Sequence, residues 1–291
     1  VNPFKFGLMG STDAHTGLPT TREDNFFGKA HFAEPSATRY EHMIIKGVKP
    51  ELSLSVAASS ASGLAAVWAR ENSREEIWDA MKRREVYATT GSRISVRVFG
   101  GWDFTADEVE THDFAREGYK RGVPMGGDLT NAPNGKAPAF MIRALRDPDN
   151  ANLDRVQVIK GWHDDGEVYE RIYDVACSDG RAIVERRCAR EVGSTVDVAD
   201  ASYTNTIGDP LMTAHWVDPD FDPDQRAFYY VRVIEIPKPR WTAYDAKFFN
   251  VTMPDDVAMT LQDRAYTSPI WYTPSEIELQ FFSTSCFLDL R

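Results

Sequence analysis

The chain has 291 residues, 42% of them hydrophobic and 26% charged, an ordinary balance for a folded protein of one large or two smaller domains. Its formal net charge of −11 disfavours nucleic acid phosphates and anionic membranes as partners. No stretch of 18 uncharged apolar residues occurs, so no helical membrane span is expected.

In chain order, the apolar run at residues 4–9 predicts a buried strand. Behind it stands Gly10-Ser11-Thr12-Asp13-Ala14-His15-Thr16. In an extended chain, residues i and i+2 point to one side, so Asp13 and His15 can offer a carboxylate and an imidazole to one ion. That donor pair suits zinc, manganese or iron better than calcium or magnesium. The competing reading is a loop aspartate bonded to local amides and a histidine at a seam. Ser11, Thr12 and Thr16 surround the pair and could hydrogen-bond the carboxylate. No Gly-x-Ser-x-Gly elbow supports a nucleophilic serine.

Residues 18–56 are rich in glycine, proline and charge with only a weak period. They predict a long irregular excursion of the kind that covers or shapes a site. His31 and His42 lie in it as substrate contacts, extra metal ligands or solvated loop histidines. Arg22, Lys29 and Arg39 are basic residues able to attract an anionic substrate, or else ordinary surface charge. The small apolar residues 57–70 suit a short helix. Ser73 and Glu76 then form a capping box, with Ile77, Trp78 and Met81 at helical spacing and Lys82, Arg83 and Arg84 at the C-terminal end.

After Gly91 the period changes to alternation, as in Ile94-Ser95-Val96-Arg97-Val98-Phe99 and Tyr229-Tyr230-Val231-Arg232-Val233-Ile234. Turn clusters separate such runs. The pattern predicts an antiparallel sandwich or barrel of six to nine strands between residues 92 and 273, with one helix near Tyr119. His112, His163 and His215 read as surface or structural. Trp102, Trp162, Trp216, Trp241 and Trp271 read as core, and Gly126-Gly127-Asp128 as a turn. Cys177 and Cys188 flank Ser178-Asp179-Gly180-Arg181, so they are either a hairpin disulfide or two free thiols. The tail after Pro274, with Phe281-Phe282 and Cys286, is assigned no role.

Residues 2–17, Asp24-Asn25-Phe26-Phe27-Gly28-Lys29, Val158-Ile159-Lys160-Gly161-Trp162, Pro239-Arg240-Trp241-Thr242 and Thr267-Ser268-Pro269-Ile270-Trp271-Tyr272 carry a resemblance to the DUF3604 family. The likeness runs from about residue 2 to 274. The catalytic part of that family is similar to the PHP superfamily of metal-dependent phosphoesterases, which use a distorted (β/α)7 barrel. The Asp13–His15 step resembles the last metal motif of that barrel with one residue inserted, while the early His-x-His motif is absent.

The resemblance implies an α+β, mostly β chain. Residues 1–91 would be the C-terminal remnant of a PHP-like barrel, residues 92–274 an antiparallel β-sandwich-like domain, and residues 275–291 a tail outside the match. It implies a fragment of a metal-dependent hydrolase of phosphate-type esters. A zinc, manganese or iron ion would be held by Asp13 and His15, with other ligands supplied by a missing N-terminal segment. The partners expected are a small anionic ester and that missing segment or a second copy, with no nucleic acid and no membrane. An extracytoplasmic setting, periplasmic or secreted, is favoured. The alternative is a non-catalytic β-sandwich or assembly module.

Overall fold

The computed structural model describes residues 4–274. The first ribbon pairs β1 (Met43–Ile45) with β2 (Leu54–Ser55), inside the excursion. β3 (Leu64–Val67), α1 (Arg74–Lys82) and β4 (Val86–Thr89) follow, then β5 (Ser95–Gly101), α2 (Phe114–Arg121), β6 (Gly122–Pro124), β7 (Asp128–Thr130) and β8 (Ala139–Leu145). The long hairpin of β9 (Leu153–Asp164) and β10 (Glu167–Cys177) carries a small ribbon beyond it, β11 (Ile183–Val184) with β12 (Arg187–Cys188). β13 (Leu211–Val217), β14 (Ala227–Glu235), β15 (Lys238–Pro239), α3 (Trp241–Phe249), β16 (Thr260–Leu261), β17 (Arg264–Thr267) and β18 (Ile270–Thr273) complete the order.

Two sheets dominate. The larger runs β10-β9-β14-β17-β4-β3, with β18 also on β14 and β7 beside β18. The smaller runs β13-β8-β5-β6. All ladders are antiparallel except β7 on β18. Neither sheet closes on itself among the described residues. The alternation in sequence is what builds the core between them. Val96 and Val98 of β5, Phe140 and Ile142 of β8, Val156 and Val158 of β9, and Tyr229, Val231 and Val233 of β14 share one buried cluster. Their odd-numbered or even-numbered neighbours face away, because side chains on a strand point alternately to opposite faces. β3 and β4, at residues 64–89, hydrogen-bond into the same sheet as β17.

Some sequence expectations meet a different outcome. Residues 4–9 form no strand, and Phe4, Phe6 and Met9 are exposed. The arm is anchored by side chains rather than by a ladder. Lys5 pairs with Asp128, the Leu8 amide donates to Ser268 Oγ at 2.9 Å, and Phe6 packs edge-on to Trp271. Residues 57–70 hold β3 and a single 3-10 turn, not a helix. Fourteen strands, not six to nine, lie between residues 92 and 273. Four of them are two-residue pieces, too short to show a hydrophobic period.

Helix α1 forms as expected, but only half of its capping box does. Ser73 Oγ accepts the Glu76 amide at 3.4 Å, while the Glu76 carboxylate takes both arms of Arg70 at 2.7 Å. Trp78 is 60% exposed and Ala80 is buried in its place. Helix α2 covers Tyr119 as predicted, and Gly118 lets it sit on the Phe99 ring, 2.4 Å from where a Cβ would be. Cys177 and Cys188 are joined in a disulfide. The segment with Phe281-Phe282 and Cys286 lies outside the described residues.

Candidate functional site at the Asp13 bend

The excursion is a second layer packed on α3. Phe26, Ala33, Val56, Ala61 and Trp241 form a separate small core. Two buried carboxylates fasten it. Glu23 accepts the amides of Ala61 at 2.5 Å and of Trp241 at 2.8 Å, the latter in the first turn of α3. An anion there meets the positive end of the helix dipole. Burial raises the Glu23 carboxyl above its ordinary range, although both amides pull it down.

The second fastening is Arg39, which the sequence suggests as a surface cation but which is only 2% exposed. Its Nε and Nη2 grip Asp245 of α3 at 2.5 and 2.8 Å. Its Nη1 donates to the carbonyls of Phe26 at 2.8 Å and Ala33 at 3.3 Å. The guanidinium lies 4.4 Å from the Trp241 ring centroid, in cation–π range. Burial raises the Asp245 carboxyl, and Arg39 pulls it the other way. A planar fork matched to a carboxylate explains why arginine serves here.

That clamp holds the turn that carries Lys29. Gly28 has φ of +103°, and a Cβ there would stand 2.2 Å from the Ala33 carbonyl oxygen. Only glycine fits such a turn without strain. The chain then leads Lys29 to the Asp13 bend. The His15 amide donates to the Lys29 carbonyl at 2.7 Å, and the Lys29 ammonium pairs with Asp13 Oδ2.

Asp13 and His15 therefore sit in one exposed bend, not on one face of a strand. Asp13 has φ of 45°, in the left-handed region that aspartate tolerates better than most residues. His15 Nδ1 lies 3.1 Å from the Asp13 carbonyl oxygen. The Asp13 side chain is 65% exposed. Its carboxyl is held below the usual range by the Lys29 hydrogen bond, then by the Lys29 charge, with a smaller contribution from His15. Carboxylate, imidazole and ammonium thus share one patch of surface.

The other suggested residues are distributed around this bend. Thr16 Oγ1 accepts the Leu18 amide at 3.2 Å, a local turn bond. No hydrogen bond joins Ser11 or Thr12 to the Asp13 carboxylate among the described residues. His42 Nδ1 lies 2.6 Å from the Phe32 carbonyl oxygen, and His31 packs edge-on to the Phe32 ring. Neither joins Asp13 and His15 in a three-donor cluster among the described residues. Arg22 grips Asp24 at 2.9 and 2.5 Å and lines a separate cleft of about 350 Å³ with Arg93, Asp147 and Asp149. His215 Nε2 lies 2.9 Å from the Phe104 carbonyl oxygen, a structural placement.

One three-donor group does occur among the described residues, Asp174 with Cys177 and Cys188, but its sulfurs are spent in the disulfide. Sequence reasoning missed the Arg39–Asp245 clamp and the Glu23 bridge. Their partners lie 206 and 218 residues apart, beyond any local pattern. The sequence signal for the turn was present in Gly28.

Fold and site together define a two-sheet, mostly β protein with an irregular layer that presents an acid–imidazole–ammonium bend. Residues 1–274 match the family model described as "Protein of unknown function (DUF3604)", and the chain belongs to that family. No curated protein matches it, and no solved structure does.

Proposed function

We propose that the Asp13 bend is part of a divalent-metal centre in a hydrolase of phosphate-type anionic esters, attached to the β-sandwich described above. In this reading residues 1–91 contain the end of a PHP-like barrel. The observation that carries it is one exposed bend presenting a carboxylate and an imidazole two residues apart, with a cation already on the carboxylate. The donor set suits zinc, manganese or iron, and the Lys29 ammonium marks the place as one that favours positive charge. Asp13 and His15 are the two groups that would hold the ion. With two protein donors, the remaining positions fall to water and to groups outside the described residues.

A bound ion supplies Lewis acidity, making water a competent nucleophile near neutral pH and offsetting charge that builds on an ester oxygen. The chain's own contribution is placement. The Arg39 clamp and the Gly28 turn hold the segment that brings Lys29 to the bend, and the Lys29 pair keeps the Asp13 carboxyl below its ordinary range. Lys29, 32% exposed, can also draw an anionic ester toward the bend. The Cys177–Cys188 disulfide supports an oxidising, extracytoplasmic setting.

Titration of the full chain with Mn²⁺ or Zn²⁺ tests the reading. Saturable binding is expected, weakened at least about tenfold by Asp13→Ala and by His15→Ala, since each removes half of the protein donors. Folded protein that binds neither ion overturns it. A second reading, a non-catalytic β-sandwich module, is favoured by the continuous two-sheet core and by the absence of a third donor near the bend among the described residues. Metal binding separates the two.

A further inference from the structure

We infer that the outer face of the smaller sheet carries a binding site for a compact phosphate monoester, built around Arg97 of β5 and Arg143 of β8. The site shares no residue with the Asp13 bend and does not depend on a metal. The two arginines stand directly opposite each other in the β5–β8 ladder. Residues so placed share one face of the sheet, and like charges there repel. No carboxylate relieves the repulsion, although the chain has a formal net charge of −11. Among the described residues neither guanidinium enters an ion pair; their bonds go to a hydroxyl and to backbone carbonyls. Both line a cleft of about 240 Å³ whose wall includes no aspartate or glutamate among the described residues.

The two forks are held in place without being neutralised. Arg97 lies 4.2 Å from the Trp68 ring centroid, and that indole is itself fixed by its Nε1 donating to the Val96 carbonyl at 2.9 Å. Arg97 Nη2 donates to the Tyr119 hydroxyl at 2.9 Å. That hydroxyl donates in turn to Glu85, whose carboxylate already takes Arg83 Nε at 2.8 Å. Arg97 Nε is buried with no acceptor among the described residues, an uncommon state for a buried N–H. Arg143 lies 4.5 Å from the Phe114 centroid and spends only Nη2, on the carbonyls of Val109 and Thr111. Nη1 of each fork has no partner among the described residues. Two oriented guanidiniums with open edges suit the oxygens of a dianion better than those of a single carboxylate. The rest of the wall is apolar. Leu145 and Leu211 face each other across β8 and β13, 49% and 51% exposed, and line the cleft with Phe114. They suit a small apolar group on the ester, and the volume restricts that group to a compact one.

The test is calorimetric titration of the full chain with phenyl phosphate at about pH 8, where a phosphate monoester is a dianion. A chelator is present throughout, so that metal at the Asp13 bend plays no part. Saturable binding is expected, weakening as ionic strength rises. Benzoate, with one charge, should bind less tightly. Arg97→Met and Arg143→Met should each weaken phenyl phosphate about tenfold or more, the loss expected for a hydrogen bond to a charged group. Leu211→Glu covers the case in which either arginine variant fails to fold. It alters a half-exposed position on β13, an edge strand of the smaller sheet, and leaves both arginines in place. Its carboxylate beside the forks should abolish binding. Folded wild type that takes up no phenyl phosphate overturns the site, and so does an affinity that Leu211→Glu and a folded Arg143→Met leave unchanged. Benzoate binding as tightly as phenyl phosphate overturns the assignment to a dianion.

Discussion

Arg39→Met should be among the most damaging single changes outside the sandwich core. It removes a guanidinium that is 2% exposed, with two bonds to Asp245, two to backbone carbonyls and a cation–π contact with Trp241. The Asp245 carboxylate, 8% exposed, is left buried without its partner. Breaking a buried pair from one side costs about 3–5 kcal/mol, most of it from the uncompensated charge. At roughly 2–3 °C per kcal/mol for a chain of this size, the melting temperature should fall by about 6–15 °C.

The damage should also be local. The Phe26 and Ala33 carbonyls lose their shared donor, so the layer of residues 23–42 should become open to limited proteolysis before the sandwich melts. Arg39→Met with Asp245→Leu should recover much of the loss, since removing both charges removes the desolvation burden. Differential scanning calorimetry and mass mapping of early cleavage sites read both effects. A single variant that melts within about 2 °C of wild type, with no new cleavage in the excursion, would show that the clamp does not hold this layer.

Other outcomes follow from the same structure. The disulfide closes a loop of sequence separation 11, so Cys188→Ser or reduction should lower stability by about 3 kcal/mol on loop-closure grounds, read by denaturant melts with and without reductant; coincident melts contradict this. Burial pushes the Glu235 carboxyl up to about 7, with Asp263 adding to the rise and Lys238 and Ser92 opposing it. A folded pKa above the unfolded one means that the folded chain binds more protons between about 4.5 and 7, so this group's contribution to stability declines as pH rises through that window. Glu235→Gln should flatten that part of the stability profile, and an unchanged slope refutes the assignment. Asp147 behaves in the opposite sense. Burial raises it, but Arg93 and the amides of Arg93 and Asp149 outweigh that and bring it to about 2, so its contribution is lost only as pH falls from about 3.8 through 2. Gly118→Ala should destabilise the chain by about 1–2 kcal/mol despite alanine's better helix propensity, because the new methyl meets the buried Phe99 ring. A neutral thermal melt would show that the ring can yield.

Much of the sandwich was legible in advance because a strand writes its buried face into the sequence at every second residue. Val96 and Val98, or Tyr229, Val231 and Val233, announce a core wherever they end up. The same holds for the Ser73 cap of α1, a bond between residues three apart, and for Cys177 and Cys188, whose turn-like spacing allowed the disulfide without requiring it.

What sequence could not decide was anything set by partners far along the chain. The apolar run of residues 4–9 has the composition of a strand, yet it finds no ladder and is pinned instead by Asp128, Ser268 and Trp271. Arg39 reads as a surface charge until α3 brings Asp245 to it. Asp13 and His15 were visible as a pair from their types alone, and that much the residues determined by themselves. The ammonium against the carboxylate depends on a glycine turn, a buried guanidinium and a helix more than two hundred residues away. Local pattern reports which face of an element avoids water. Only the assembled chain decides which charges that avoidance brings together.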